Sequence, residues 1–177
     1  MSSGENDIAI VGMAAHLPGA RDVREFWRNL ADGVESIRQY SEEELAAAGL
    51  SLSTLRQPNY IKSGGVIDDV ENFDAEFFGF SPKEAAIMDP QHRHFLECAW
   101  EAFEDAGHPP ERFAGAIGVF CGCGMGSYFI FNLLSNPELV KSVGLFLLRH
   151  TGNDKDFLAT RVSYLFNLKG PSINVQT

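Results

Sequence analysis

Residues 151–177 read TGNDKDFLATRVSYLFNLKGPSINVQT. Asp154 is placed to cap a helix, because its carboxylate can accept the free backbone N–H groups of a first turn. Phe157, Leu158, Arg161, Val162, Leu165 and Phe166 then recur at helical spacing. Gly170-Pro171 closes that pattern: glycine tolerates a left-handed cap and proline cannot extend a helix. From Ser172 to Thr177 polar and apolar residues alternate, which predicts a strand. The stretch therefore reads as a helix followed by a buried strand. That strand runs to the last residue, Thr177, with no turn and no charged tail, so we expect that the chain is cut there.

Working back along the chain, Asn136-Pro137 opens a helix through Val140, Val143, Phe146 and Leu147. With Tyr128, Phe129, Phe131, Leu133 and Leu134 before it, this run is too apolar for a surface stripe and is expected to be core or interface. Ile117-Gly118-Val119-Phe120-Cys121-Gly122 reads as a buried strand that turns at a Gly-rich corner, Cys123 to Tyr128. Asp89-Pro90-Gln91-His92-Arg93-His94-Phe95-Leu96-Glu97 starts a long helix: Asp89 caps and Pro90 takes the first helical position. Phe95, Leu96, Ala99, Trp100 and Phe103 form its buried stripe, Gly107 ends it, and Arg93 stands one turn before Glu97 as a candidate ion pair.

Ser81-Pro82-Lys83-Glu84 is a helix start, and Phe73, Phe77, Phe78 and Phe80 form a core cluster. Lys62 to Ile67 is a loop entering a strand, and residues 50–61 are irregular. Ser41 with Glu44, and Asp22 with Glu25, have the spacing of capping boxes. Asp7-Ile8-Ala9-Ile10-Val11-Gly12-Met13 reads as a buried strand, and residues 1–6 as a loose end. A strand, a glycine loop and a helix also open dinucleotide-binding folds. That fingerprint needs G-x-G-x-x-G, whereas Gly12 and Gly19 stand too far apart and Pro18 sits where the helix should begin.

The chain has 177 residues, a formal net charge of -10 and a sequence pI near 4.9. Such a charge repels nucleic acid and anionic membrane, so neither is an expected partner. No apolar run is long enough to span a bilayer, and the N-terminus lacks a secretory signal. The three cysteines, Cys98, Cys121 and Cys123, have no framework spacing, which suits a reducing, cytoplasmic setting. No metal site is expected. Cys121 and Cys123 lack a second ligand pair, and His92 and His94 fall on different sides of a helix. The glycines after Cys121 are not followed by the lysine of a phosphate loop.

Taken together, these segments resemble the β-ketoacyl synthases, and within them the ketosynthase domains of modular type I polyketide synthases. The resemblance is carried by Ile8-Ala9-Ile10-Val11-Gly12-Met13-Ala14 with Pro18-Gly19-Ala20, by Gly64-Gly65, by Asp89-Pro90-Gln91-x-Arg93-x-x-Leu96-Glu97, by Gly118-Val119-Phe120, and by the run from Gly152 to Thr177. It implies an α/β fold of the thiolase-like, layered α/β/α/β/α type, of which residues 7–177 are the first half. It also implies that Ala-Cys-Ser, with the nucleophilic Cys, follows Thr177.

The implied chemistry belongs to the complete domain. A Cys thiolate takes an acyl group from the phosphopantetheine arm of acyl carrier protein, and a malonyl-type extender is decarboxylated and condensed with it. No residue of this chain matches the family's catalytic Cys or His, so none is named catalytic, the fragment alone is expected to be inactive, and no cofactor is assigned to it. The resemblance places Cys123, Met125 and Gly126 near the acyl channel. It places Ser172, Ile173, Asn174, Val175, Gln176 and Thr177 at a homodimer interface. The partners implied are acyl carrier protein, the rest of the domain and the neighbouring synthase domains. Two other readings remain open: a fatty-acid-type relative of the same fold, and a non-catalytic module that binds acyl carriers or promotes dimerisation.

Overall fold

The computed structural model describes residues 7–176, which form two compact units: residues 15–69, and residues 7–14 together with 70–176. The expected loose segment 1–6 and Thr177 lie outside the described residues.

In the smaller unit, helix α1 (Val23–Asp32) begins where the Asp22 carboxylate accepts the Glu25 N–H at 2.8 Å, and it stops at Gly33, whose φ of 66° is left-handed. The expected capping box is half made. Glu25 accepts from the backbone N–H of Arg21, one residue before the cap, at 2.9 Å. Strand β1 (Arg38–Gln39) pairs antiparallel with β2 (Ser63–Gly64). Helix α2 (Glu42–Ala47) has the full reciprocal box between Ser41 and Glu44, and Lys62 pairs with Glu42. Residues 50–61, expected to be irregular, contain one helical turn, α3 (Leu52–Leu55). Ser51 caps it by accepting from the Thr54 N–H, and Leu55 is buried.

The larger unit carries the core. Helix α4 (Pro82–Ile87) has its capping box between Ser81 and Glu84, and α5 (Pro90–Ala106) runs from the Asp89 cap to Gly107, φ 65°. Strand β3 (Val119–Cys121) leads through the glycine corner to a π-helical turn at Phe129–Leu133. Helices α6 (Pro137–Val143) and α7 (Leu145–Gly152), a 3-10 turn at Lys155–Phe157, helix α8 (Leu158–Leu165) and strand β4 (Ser172–Asn174) follow. β3 and β4 pair in parallel, Val119 beside Ser172 and Cys121 beside Asn174. Leu158, Ala159 and Val162 of α8 join Val119 and Cys121 of β3, Leu96 of α5, Met88 and Phe78 in one buried cluster. Phe73 and Phe80 pack against it as expected, with Phe73 stacked on Phe78 at 5.3 Å, whereas Phe77 is exposed and meets Trp100 edge-on at 5.0 Å.

Four expectations are corrected. Residues 7–13 form no strand, and Ile8 is 96% exposed. A strand needs a ladder partner, and β3 and β4 pair only with each other among the described residues. The segment instead lies on α5: the Met13 N–H donates to the Asp105 carboxylate at 2.9 Å, and a Cβ on Gly12 would strike Ala102 and Ala106. The helix expected from Asn136 through Leu147 is two helices, broken at Gly144, where φ is 88°. The apolar run around it divides, with Leu133 and Leu148 buried and Phe131, Leu145, Phe146 and Leu147 exposed. The helix expected to close at Gly170-Pro171 ends at Leu165, and the left-handed residue after it is Asn167, φ 52°. The Arg93–Glu97 pair is not made: His94 takes Glu97 at 3.3 Å, while Arg93 is buried and donates to the Glu71 carbonyl at 3.3 Å.

Candidate functional site

Strand β4 reverses the usual polarity of a half-buried strand. Ser172 and Asn174 are turned toward the body, while Ile173 and Val175 are exposed, and Phe120 of β3 beside Ile173 is exposed too. The inward polar groups are satisfied. Ser172 and Ser163 share a hydrogen bond at 2.6 Å. Asn174 Oδ1 accepts from Cys121 Sγ at 3.1 Å and from the Ala159 N–H at 3.1 Å, and Asn174 Nδ2 donates to the Asp156 carbonyl at 2.6 Å. The ladder continues past Asn174 with the Val175 N–H donating to the Cys121 carbonyl at 2.7 Å. Backbones pass so closely here that a Cβ on Gly170 would lie 2.5 Å from Ile117 and one on Gly122 2.5 Å from the Val175 carbonyl.

The glycine corner is tied to the start of α5. The Gly124 N–H donates to Gln91 Oε1 at 2.8 Å, and the Gln91 N–H donates to the Asp89 carboxylate at 2.9 Å. A Cβ on Gly126 would come within 3.5 Å of the Asn153 carbonyl and 3.9 Å of the Asp89 carboxylate. Tyr128 anchors the far side by donating its hydroxyl to the Ala86 carbonyl at 2.6 Å. Of the residues expected to line an acyl channel, Cys123 and Gly126 are therefore half-buried in this corner and Met125 is exposed on it. A cavity of about 140 Å³ lies elsewhere, lined by Pro110, Phe113, Ile117 and Asn167 among others, and none of the three lines it.

Behind the corner is a set of buried polar groups that periodicity and spacing do not bring together. Asn153 donates through Nδ2 to the carbonyls of Ile87 and Leu148, both at 2.6 Å. Arg161 donates to the Thr151 carbonyl and lies over the Phe80 ring at 5.9 Å, and burial lowers its pKa. His92 is buried; desolvation first, then the Arg161 charge, push it down to about 4. It is a neutral ring at neutral pH. The one sequence signal for this set is Asn174 itself, since asparagine is depleted inside strands. For His92 and Asn153 the pattern offers none.

Burial raises the Cys121 thiol, and burial followed by the Asp89 charge raises Cys123, so both keep their protons. What the site offers is a held strand: β3, β4 and α8 pack against one another, and the side chains of β4 bond to both of the others.

A parallel strand pair layered under α8, with the segment order and motifs described above, defines one class of protein. The chain belongs to the β-ketoacyl synthase family: residues 5–177 match the N-terminal domain of that family, and the fold is the thiolase-like α/β fold expected. Among curated relatives it is 52% identical to a phenolphthiocerol/phthiocerol polyketide synthase polypeptide of Mycobacterium tuberculosis, over all of this chain and 12% of that one. It is 37% identical to pikromycin polyketide synthase component PikAII of Streptomyces venezuelae, over 98% of this chain and 5% of that one. Among solved structures, ketosynthase twelve of the bacillaene polyketide synthase from Bacillus amyloliquefaciens matches with a TM-score of 0.80 at 36% identity, covering 96% of this chain and 29% of that one. The chain thus spans a small part of the length of the relatives it matches.

Proposed function

We propose that this chain is the N-terminal part of a polyketide synthase ketosynthase domain, and that its role is to build the wall and strand that present a nucleophilic Cys located after Thr177. The observation that carries this reading is β4. Its polar side chains are bonded inward, while its apolar Ile173 and the Val175 that follows it face out, which is the pattern of a strand meant to be covered on both faces. Two sources of cover are proposed: the rest of the domain, and a second copy of the domain meeting this one along Ser172–Thr177.

In the complete domain the Cys thiolate attacks the thioester carbonyl of an acyl group on the phosphopantetheine arm of acyl carrier protein, and the arm's thiol leaves. A malonyl-type extender on carrier protein then loses CO2, and the electron pair left on its α-carbon attacks the enzyme-bound thioester. The new C–C bond forms as the Cys leaves as thiolate. Splitting transfer from condensation lowers each barrier. Cys123, Met125 and Gly126 line the approach of the acyl chain; the half-buried, protonated Cys123 suits an apolar lining. The protein works in the cytoplasm with acyl carrier protein and neighbouring synthase domains. No helix among the described residues is long and apolar enough to cross a membrane.

The test is condensation itself. The complete domain, incubated with acyl-loaded and malonyl-loaded carrier protein, is expected to release CO2 and yield a β-ketoacyl carrier protein. Carrier binding without either product would instead mark a non-catalytic module.

A further inference from the structure

We propose that Asn174 is a positioning residue, whose carboxamide fixes the direction in which β4 leaves the body and so the placement of the nucleophile that follows the strand. The inference rests on the ketosynthase reading and deepens it. Asn174 is the last residue of β4, and its side chain reaches three different elements at once. Oδ1 accepts from Cys121 Sγ on β3 and from the Ala159 N–H at the start of α8, and Nδ2 donates to the Asp156 carbonyl in the 3-10 turn. Both acceptor sites of the oxygen are filled, and the amide is held in one orientation by donors on one side and an acceptor on the other.

Helix α8 shows why the strand must supply this group. Its cap residue, Phe157, makes no side-chain hydrogen bond to the helix. Ala159 N–H belongs to the first turn, whose donors have no intrahelical partner, and Ala159 is fully buried, so bulk water does not reach it. Asn174 caps the helix from across the sheet. The bond locks the helix start to the strand end, and the Val175 N–H to Cys121 carbonyl bond extends the lock by one residue. Cys121 keeps its proton and so acts as a donor here. Serine or threonine is too short to reach all three partners. Aspartate has the size but not the N–H, and turns a carboxylate oxygen toward the Asp156 carbonyl.

Misplacing a reacting group by about 1 Å can cost on the order of 100-fold in rate. The experiment is single-turnover acylation of the complete ketosynthase domain by acyl-loaded carrier protein, comparing the unsubstituted protein with Asn174→Ala and Asn174→Asp. Melting curves are taken on the same samples. Both variants are expected to lower the saturating acylation rate by at least about tenfold while the half-saturating carrier concentration stays within about twofold. Iodoacetamide alkylation of the nucleophile should shift in its pH profile in step. Folded Asn174→Ala that acylates at the unsubstituted rate overturns the inference and leaves the ketosynthase reading standing. If Asn174→Ala does not fold, Asn174→Asp decides: an unchanged rate, or failure to fold as well, assigns Asn174 a purely structural role and overturns the inference. No acylation of the unsubstituted domain overturns the ketosynthase reading, and this inference with it.

Discussion

His92 carries a measurable consequence of being buried on α5. In the unfolded chain its imidazole takes a proton near the ordinary value of 6.5, while in the folded protein burial pushes that down to about 4. Between those values the unfolded state binds a proton that the folded state does not, so stability rises with pH across the window. The contribution is whole above 6.5 and is lost as pH falls through about 4, and it amounts to on the order of 3 kcal/mol. His92→Gln in the complete domain should flatten urea-unfolding stability across that window; equal slopes for the two proteins would contradict the assignment. Legibility at the residue scale is uneven for a physical reason. Caps are local, so Ser41, Ser81, Asp89 and Asn136 were legible from the residues around them. Asn153 meets Ile87 and Asn174 meets Cys121 from elements far apart in the chain, and no spacing rule encodes such pairs. Arg93 illustrates the same limit: helical spacing offered it Glu97, and tertiary packing gave it the Glu71 carbonyl.

At the scale of elements, Asn153 joins the end of α4 to the middle of α7 through its bonds to Ile87 and Leu148. Asn153→Ala leaves buried carbonyls without donors, and the expected loss is about 1–3 kcal/mol, read as a lower melting temperature of the complete domain. An unchanged melting temperature would show that the two helices are held by their apolar contacts alone. Helices were the more legible elements. The periodicity of α5 and α8 survives because each has one face to bury; α5 stops at Gly107 as expected, whereas α8 ends at Leu165, ahead of Gly170-Pro171. Strands were less so. β3 and β4 are shorter than their sequence patterns, and residues 7–13 have the composition of a buried strand without a partner to pair with. Alternation reports what a segment can do, while a ladder depends on what lies beside it. β1 and α3, two and four residues long, carry too little pattern to be seen at all.

For the molecule as a whole, the apolar surface on view is large and clustered by element. Phe120, Ile173 and Val175 lie open on the β3–β4 sheet, Leu145, Phe146 and Leu147 on α7, and Ile8 and Ile10 on the N-terminal segment. Surfaces of this kind mark interfaces, and unpaired strand edges template association. Residues 1–177 alone are therefore expected to self-associate or to require their complement for solubility. A monodisperse monomer by light scattering that unfolds cooperatively would count against that. Family and fold were legible because several motifs occur in family order along the whole chain, which no single segment could establish. A channel was not, since spacing along the chain does not encode which segments converge on a cavity: the cavity seen is lined from Pro110–Ile117 and Asn167–Lys169 and by none of Cys123, Met125 and Gly126.

The most direct measurement is peptide mapping by mass spectrometry of the complete domain after incubation with acyl-loaded carrier protein. The account predicts an added acyl mass on a Cys in the peptide that continues from β4, just after Thr177, and none on Cys98, Cys121 or Cys123. An acyl group on one of those three cysteines, or a folded domain that binds loaded carrier and acquires no acyl group, would contradict it.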